Sequence, residues 1–378
     1  MNKSKKRKQK IITWIALLIF MIIGGIFGFL GALYIDKNLN MFSDNLWTDL
    51  LMEAALIASV ILIFYVHIIV HEGGHFIFGK LSGYKFLSFR IGSLTIVSDN
   101  NKYKLKRFKI AGTGGQCLMM PPESDGYHYP YILYNLGGVI ANIVVSILCL
   151  IFYWVQSSIN LFSILLIVSI FLGLILAFTN ALPLKIGGVA NDGYNVYYLR
   201  KDEEARRAFG ILLKVNGLLT TGTRLRDMPS DWFELPPNAD LNNHIISSIR
   251  ALKCSYLHDK MQFAEAKALI EDILENVPNL LIIYQNELRC ELLFYEIIGQ
   301  CREDVIQQLY TKELKKYIKV TASYASKRRL LYAYALLVEN NEKKAQKELA
   351  AFEKIVKTSP YKADIESEKE MIALIQER

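Results

Sequence analysis

Residues 51–75 decide how this chain folds: Leu51-Met52-Glu53-Ala54-Ala55-Leu56-Ile57-Ala58-Ser59-Val60-Ile61-Leu62-Ile63-Phe64-Tyr65-Val66-His67-Ile68-Ile69-Val70-His71-Glu72-Gly73-Gly74-His75. Up to Val70 the stretch carries only Glu53 and His67 among charged and imidazole side chains, and it is long enough to cross a bilayer as a helix. It ends in an H-E-x-x-H word. On a helix, His71 and His75 stand one turn apart on one face with Glu72 beside them, a spacing suited to one zinc ion and a general base. Ionisable groups at the edge of an apolar span are costly, so the cluster reads as functional by default.

The rest of the first half has the same character. The chain has 378 residues, 52% of them hydrophobic, and a mean hydropathy of +0.22, too apolar for an ordinary soluble protein. Residues 11–34, 131–155 and 157–184 contain no charged side chain. With the run above, they predict four transmembrane helices at about 11–34, 51–75, 131–155 and 158–182. Residues 1–200 hold 17 Lys/Arg and 9 Asp/Glu, whereas 201–378 hold 27 of each, so the net charge of +8 belongs to the membrane half. No nucleic acid is needed to explain it. The basic start, Lys3-Ser4-Lys5-Lys6-Arg7-Lys8-Gln9-Lys10, and the eight Lys/Arg of 76–130 should lie inside. Both termini are then cytoplasmic in a multi-pass protein of the cell membrane. A cleaved leader is not expected, because the first apolar run is too long for one. The five cysteines form no C-x-x-C pair and read as free thiols.

The expected fold class is mainly α: a polytopic membrane helical core, a small β-hairpin loop, and a C-terminal soluble α-helical repeat-like domain. Residues 1–10 form the basic N terminus and 11–200 the membrane core. Ser93-Leu94-Thr95-Ile96-Val97 and Tyr103-Lys104-Leu105-Lys106-Arg107-Phe108-Lys109-Ile110 alternate around Asp99-Asn100-Asn101, which predicts a β-hairpin within a re-entrant loop at 84–122. Gly112-Thr113-Gly114-Gly115-Gln116 then returns irregularly toward the membrane, so Gly114, Gly115 and Gln116 are candidates to line a substrate cleft, against an equal reading as a flexible surface linker. Residues 201–242 read as a connecting helix and a linker, 219–242, rich in turn-forming residues. From 243 to 378 the chain reads as helical pairs with breaks near 258–262, 299–303 and 340–342, similar to a degenerate tetratricopeptide-type array; a plain helical bundle is the alternative.

A catalytic zinc needs a third protein ligand. The metzincin continuation is absent, because Phe76-Ile77-Phe78-Gly79-Lys80-Leu81 has neither glycine nor histidine in register. The best candidate follows the fourth span, in Asn180-Ala181-Leu182-Pro183-Leu184-Lys185-Ile186-Gly187-Gly188-Val189-Ala190-Asn191-Asp192-Gly193. Asp192 is the only acid between Asp125 and Asp202, and the charge-derived topology returns it to the same membrane face as the histidines.

With these residues the sequence resembles the site-2 protease family of intramembrane zinc metallopeptidases over about residues 50–200. The resemblance rests on His71-Glu72-Gly73-Gly74-His75, on Asn180-x-x-Pro183 followed by Asp192-Gly193, and on the polar central helix Asn135-Leu136-Gly137-Gly138-Val139-Ile140-Ala141-Asn142. It implies His71, His75 and Asp192 as ligands of one zinc ion per chain and Glu72 as the base. It also implies Asn142 in contact with substrate backbone or the developing oxyanion, with Asn180, Gly137 and Gly138 as further candidates for that substrate or oxyanion role. Many members carry Gly-Pro before that asparagine, where this chain has Gly-Gly-Val-Ile-Ala-Asn.

Plainer readings stand beside these. His67 reads as a packed interior histidine and His128, His244 and His258 as ordinary polar residues. Asn135 and Asn142, seven apart on one helix face, suit helix–helix hydrogen bonding as well as a substrate role. Glu53 reads as headgroup-level polarity. The basic 102–109 stretch reads as a contact with anionic lipid. The expected function is hydrolysis of a membrane-spanning or signal-type peptide near the cytoplasmic face, with a cytoplasmic protein as a partner of the helical half. The alternative is a catalytically silent membrane anchor that recruits partners through its helical C-terminal domain.

Overall fold

A computed structural model describes residues 45–378, apart from 100–101, 108–113, 125, 157, 187–188, 278–279 and 360. The first expected span, 11–34, and the basic residues before it lie outside the described residues. The described chain is mainly helical, with a small antiparallel sheet. Three of its helices are long and apolar enough to cross a membrane: α1 (Leu46–Leu81), α2 (Tyr131–Val155) and α3 (Leu161–Ala181). α1 outruns the expected 51–75 at both ends. It stops at Gly83, whose φ of +81° suits the left-handed residue that closes a helix, and Tyr84 N–H returns to the Gly79 carbonyl at 2.9 Å.

The chain divides into two compact units whose boundaries fall inside α1 and α2 and at the end of α3: Met1–His71 with Val139–Thr179, and Glu72–Gly138 with Asn180–Arg378. In the first, a polar seam joins the helices. His67 is fully buried, 3.3 Å from Asn142 through Nδ1 and 2.9 Å from Ser169 Oγ through Nε2. Gly173 makes room for it, since a Cβ there would come within 2.2 Å of Ser146 Oγ and 2.5 Å of His67 Cε1. Apolar surroundings offer polar groups no water, so such groups pair across helices. His67 is the packed interior histidine of the plainer reading.

In the second unit, the expected hairpin is a correct but partial description. Its strands are β2 (Leu94–Asp99) and β3 (Lys102–Arg107), paired as expected. Two further strands, β1 (Lys85–Ile91) and β4 (Gly115–Met120), complete a four-stranded antiparallel sheet in the order β3-β2-β1-β4. Gly115 and Gln116 are therefore ladder residues and not an irregular return: they pair with Ile91 and Arg90. The pleat assigns the faces. Arg90, Thr95 and Lys106 share one cross-strand row, and Phe89, Ile96 and Leu105 share the adjacent row on the opposite face. On that second face Leu94, Ile96, Tyr103 and Leu105 are exposed.

A ladder of two residues on each side, β5 (Lys185–Ile186) with β6 (Val189–Ala190), leads into α4 (Asp192–Lys201) and α5 (Glu203–Thr221). α5 is buried on two sides. Leu213 joins Leu87, Leu118 and Met119 of the sheet, while Ile211, Val215 and Leu219 join a core with Ile245, Ile246 and Ile249. The expected linker at 219–242 is packed into that same core through Leu225, Met228 and Phe233. Its prolines and short turns bend the chain so that these apolar side chains turn inward while many of its polar residues stay exposed.

The helical half continues with α6 (His244–Asp259), α7 (Phe263–Asn276), α8 (Ile282–Ile298), α9 (Glu303–Leu309), α10 (Lys312–Val320), α11 (Ala325–Ala333), α12 (Glu342–Thr358) and α13 (Lys362–Gln376). Three non-glycine residues with positive φ, Met261, Cys301 and Asn340, turn the chain between successive helices. They fall at or beside the three expected breaks. A π-helical stretch, Tyr334–Val338, precedes the last. All five cysteines are free. His244 and His258 are buried, with His258 Nδ1 2.8 Å from the Tyr295 hydroxyl.

Buried ion pairs cross the interior of this half. Lys327 reaches Glu287 at 2.5 Å, and Arg329 reaches Glu291 and Glu368, each at 2.7 Å. Burial alone would push the Glu291 carboxyl up, but Arg329, with His258, outweighs it and holds the group down at about 2. A carboxylate whose pKa is depressed by folding stabilises the fold above its unfolded value and loses that contribution as pH falls through the folded one. The full chain should therefore lose thermal stability as pH drops from about 4.5 toward 2. At neutral pH Glu291→Gln should cost on the order of 3–5 kcal/mol, because Arg329 is left buried with one partner fewer. It should also flatten that acid dependence, measured by thermal unfolding across pH.

Candidate metal centre

The H-E-x-x-H residues lie within α1, so His71 and His75 are related by one helical turn. The ligand atoms of His71, His75 and Asp192 all lie within 4.8 Å of one another. His75 is nearly enclosed. Its Nδ1 stands 2.7 Å from the Tyr134 carbonyl, and its Nε2 stands 3.4 Å from Asp192 Oδ2. A carbonyl only accepts, so Nδ1 carries the proton and Nε2 offers its lone pair toward Asp192. Asn142 Nδ2 lies 3.4 Å from His71 Nδ1 while its Oδ1 faces His67. Turning the amide over exchanges donor and acceptor within the same volume. His71 Nδ1 would then donate to Oδ1, and its Nε2 would carry the lone pair as well. Histidines that hold a cation are oriented in this way by a second hydrogen bond. Two imidazoles and one carboxylate make a donor set suited to a catalytic zinc ion.

Tyr134, which the sequence reading passed over, fixes His75 to the sheet. Its carbonyl holds the imidazole, its ring stacks on Tyr84 at 4.6 Å between centroids, and its hydroxyl donates to the Cys117 carbonyl of β4 at 3.0 Å. α1 and α2 come close together at Gly137, where a Cβ would come within 2.6 Å of the Gly74 carbonyl oxygen. Gly138 is buried beside it in α2. Asn135 donates to Tyr131 O and accepts from Asn195. Both asparagines of α2 thus make helix-to-helix or within-helix hydrogen bonds.

Asp192 is placed by its neighbours. Asn191 caps α4: its Oδ1 accepts from Tyr194 N–H at 2.9 Å and Leu184 N–H at 3.1 Å, and its Nδ2 donates to Leu182 O at 2.6 Å. An asparagine directly before a helix is a cap signal readable in the sequence. Gly193 then lies against the end of α3, where a Cβ would meet Ala181 O at 2.1 Å and Asn180 O at 2.9 Å. Asn180 thereby contributes backbone to the seat of α4. The carboxylate that follows the cap is held in the first turn of α4, next to His75.

Glu72 is buried against β4. A Cβ on Gly115 would come within 2.8 Å of both Cγ and Oε1 of Glu72, so a side chain at that strand position would have to push the carboxylate aside. Gly114 is exposed and its carbonyl receives Gly92 N–H at 2.8 Å, while Gln116 is half-buried. Nothing among the described residues lies within 4 Å of a Cβ built on Gly73. The structure thus brings together His71, Glu72, His75, Asp192 and Gly115 of the expected residues. It places Asn142 behind His71, and Asn180, Gly137 and Gly138 in the packing that supports them. No protein-family model matches the chain, and no curated protein or solved structure matches it either.

The two glycine environments predict opposite outcomes. Gly137→Ala should force α1 and α2 apart and cost about 1–3 kcal/mol, the usual range for overpacking. Gly73→Ala meets open space and should be neutral, or stabilising by up to about 1 kcal/mol through helix propensity. Thermal unfolding of the two variants in the same lipid or detergent checks both.

Proposed function

We propose that this chain is an intramembrane zinc metallopeptidase of the site-2 protease type. It would hydrolyse a peptide bond of a membrane-spanning or signal-type peptide close to the inner membrane face. The observation that carries the reading is the grouping of His71, His75 and Asp192 within ligand distance of one another, with Glu72 in the same helical turn as the histidines. The residues that would hold zinc are those three, one ion per chain. Bound there, zinc would supply a Lewis acid able to lower the pKa of a water molecule toward about 7.

The protein's own groups supply the remainder. Glu72 would take a proton from the attacking water and deliver it to the leaving amine. The Tyr134 carbonyl and the Asn142 amide would keep the two imidazoles in register, which makes them positioning residues. A peptide in a helix hides its carbonyls, so the substrate must unwind locally. β4 is an edge strand whose Gly115 touches Glu72, and its backbone suits pairing with an extended segment. The open side at Gly73 gives such a segment room to approach.

In the same reading the chain has four spans, the first at about 11–34, and both termini lie in the cytoplasm, as the Lys/Arg distribution favours. The exposed apolar face of the β2–β3 ribbon, flanked by Lys102, Lys104 and Arg107, suits contact with anionic lipid. The helical half would meet a cytoplasmic protein partner.

Glu72→Gln keeps the size of the side chain and removes its basicity. The expected outcome is retained zinc, one per chain by metal analysis, with loss of cleavage. The loss is read as full-length membrane peptides that accumulate in cells carrying the variant but not in cells carrying the active chain. An unchanged peptide profile would remove Glu72 from the mechanism. Asn142→Ala should weaken zinc binding by about 10–100-fold, the effect of losing a hydrogen bond to a ligand. Asp192→Ala should weaken it further. A purified chain without stoichiometric zinc would favour the silent-anchor reading.

A further inference from the structure

One buried cation belongs to none of the groups above. Arg90 lies in β1 and is 2% exposed, on the sheet face that also carries Thr95 and Lys106. Its Nη1 donates to the Gly92 carbonyl at 2.7 Å and its Nη2 to the Gly115 carbonyl at 3.4 Å. It therefore ties the β1–β2 turn to the first residue of β4, the residue where a side chain would have to push Glu72 aside. The same sheet face meets the junction between α12 and α13. Lys106, in the row of Arg90, donates through Nζ to the Ser359 carbonyl at 2.5 Å. Two residues on, Tyr361 begins α13, and Tyr324 lies just before α11. Burial lowers the guanidinium pKa of Arg90, and the groups that act against burial are Glu72, Tyr361 and Tyr324.

We propose that Arg90 is a positioning residue that couples the seat of the C-terminal helices to the proposed base: it fastens the start of β4 beside Glu72 to the sheet face on which Ser359 rests. Displacement of the α12–α13 junction, as by a partner bound to the helical half, is then felt at Gly115. The coupling rests on the reading of Glu72 as base for its functional meaning, but its mechanical part does not. A guanidinium suits this post. Its planar fork reaches two carbonyls at once and stays charged when buried, whereas a lysine offers a single point of attachment.

The test uses full-length protein in lipid nanodiscs and amide hydrogen exchange over residues 115–120. Arg90→Met should raise exchange there about tenfold, the effect of losing a hydrogen bond to a charged donor. Arg90→Lys keeps the charge and loses the fork, and should give a smaller rise; it serves as the reporter if Arg90→Met fails to fold. Lys106→Met removes the contact with the Ser359 carbonyl. It should raise exchange in 115–120 severalfold in the parent chain and add nothing in the Arg90→Met or Arg90→Lys background. Exchange over 244–276 should be unchanged throughout, which separates a local effect from general loosening. An unchanged β4 in Lys106→Met, or an equal effect with and without Arg90, overturns the coupling. The membrane-peptide comparison with Glu72→Gln separates the two levels. If that variant changes no peptide while β4 still responds through Arg90, the coupling stands and the peptidase reading falls. If Glu72→Gln abolishes cleavage and β4 is indifferent, the peptidase stands and the coupling falls.

Discussion

The close approach of α1 and α2 at Gly74 and Gly137 is the constraint on which the site depends. The Tyr134 carbonyl reaches His75 beside this contact, where one added methyl on Gly137 would strike backbone. Backbone-to-backbone contact between apolar helices gains from dispersion and short polar contacts where there is no water to expel. The same closeness lets a single amide, Asn142, serve two histidines on the facing helix. Glycine is poor in a helix by propensity, and here its conformational cost is offset by what its small size brings into range.

Much of the site could be read directly. The two histidines and the glutamate follow from helical periodicity, which is local. Asp192 came from charge scarcity, since one acid in a long neutral stretch had few alternatives. Asn191 and Tyr134 were harder. Asn191 carries a cap signal that was overlooked, and Tyr134 acts mainly through its carbonyl, which every residue possesses. The sheet was half legible for a related reason. β2 and β3 are neighbours in sequence and alternate clearly, whereas β4 finds β1 across an intervening hairpin, and a short apolar run such as Gln116-Cys117-Leu118-Met119 has no helix or strand period of its own.

The segment at 219–242 shows where composition misleads. Prolines and polar residues there promise exposure, yet Leu225, Met228 and Phe233 are buried. Widely spaced apolar residues between turns can each fill a gap without forming any periodic pattern. The helical half gave the opposite result. Its breaks coincide with three left-handed residues, and at two of them, Cys301 and Asn340, a glycine or asparagine stands at or beside the turn. What the sequence could not convey was its interior chemistry, where Lys327 and Arg329 sit among hydrophobic neighbours only because Glu287, Glu291 and Glu368 accompany them.

The contact between Gly115 and Glu72 bears on selectivity. With a glycine at that strand position, the carboxylate is walled by bare main chain. On the proposed reading, whatever docks alongside is sorted by how readily it straightens, and the identity of its residues counts for less. Such an enzyme would discriminate by the local fragility of its target helix, so unrelated sequences that share a weak turn at the right depth would be equivalent to it.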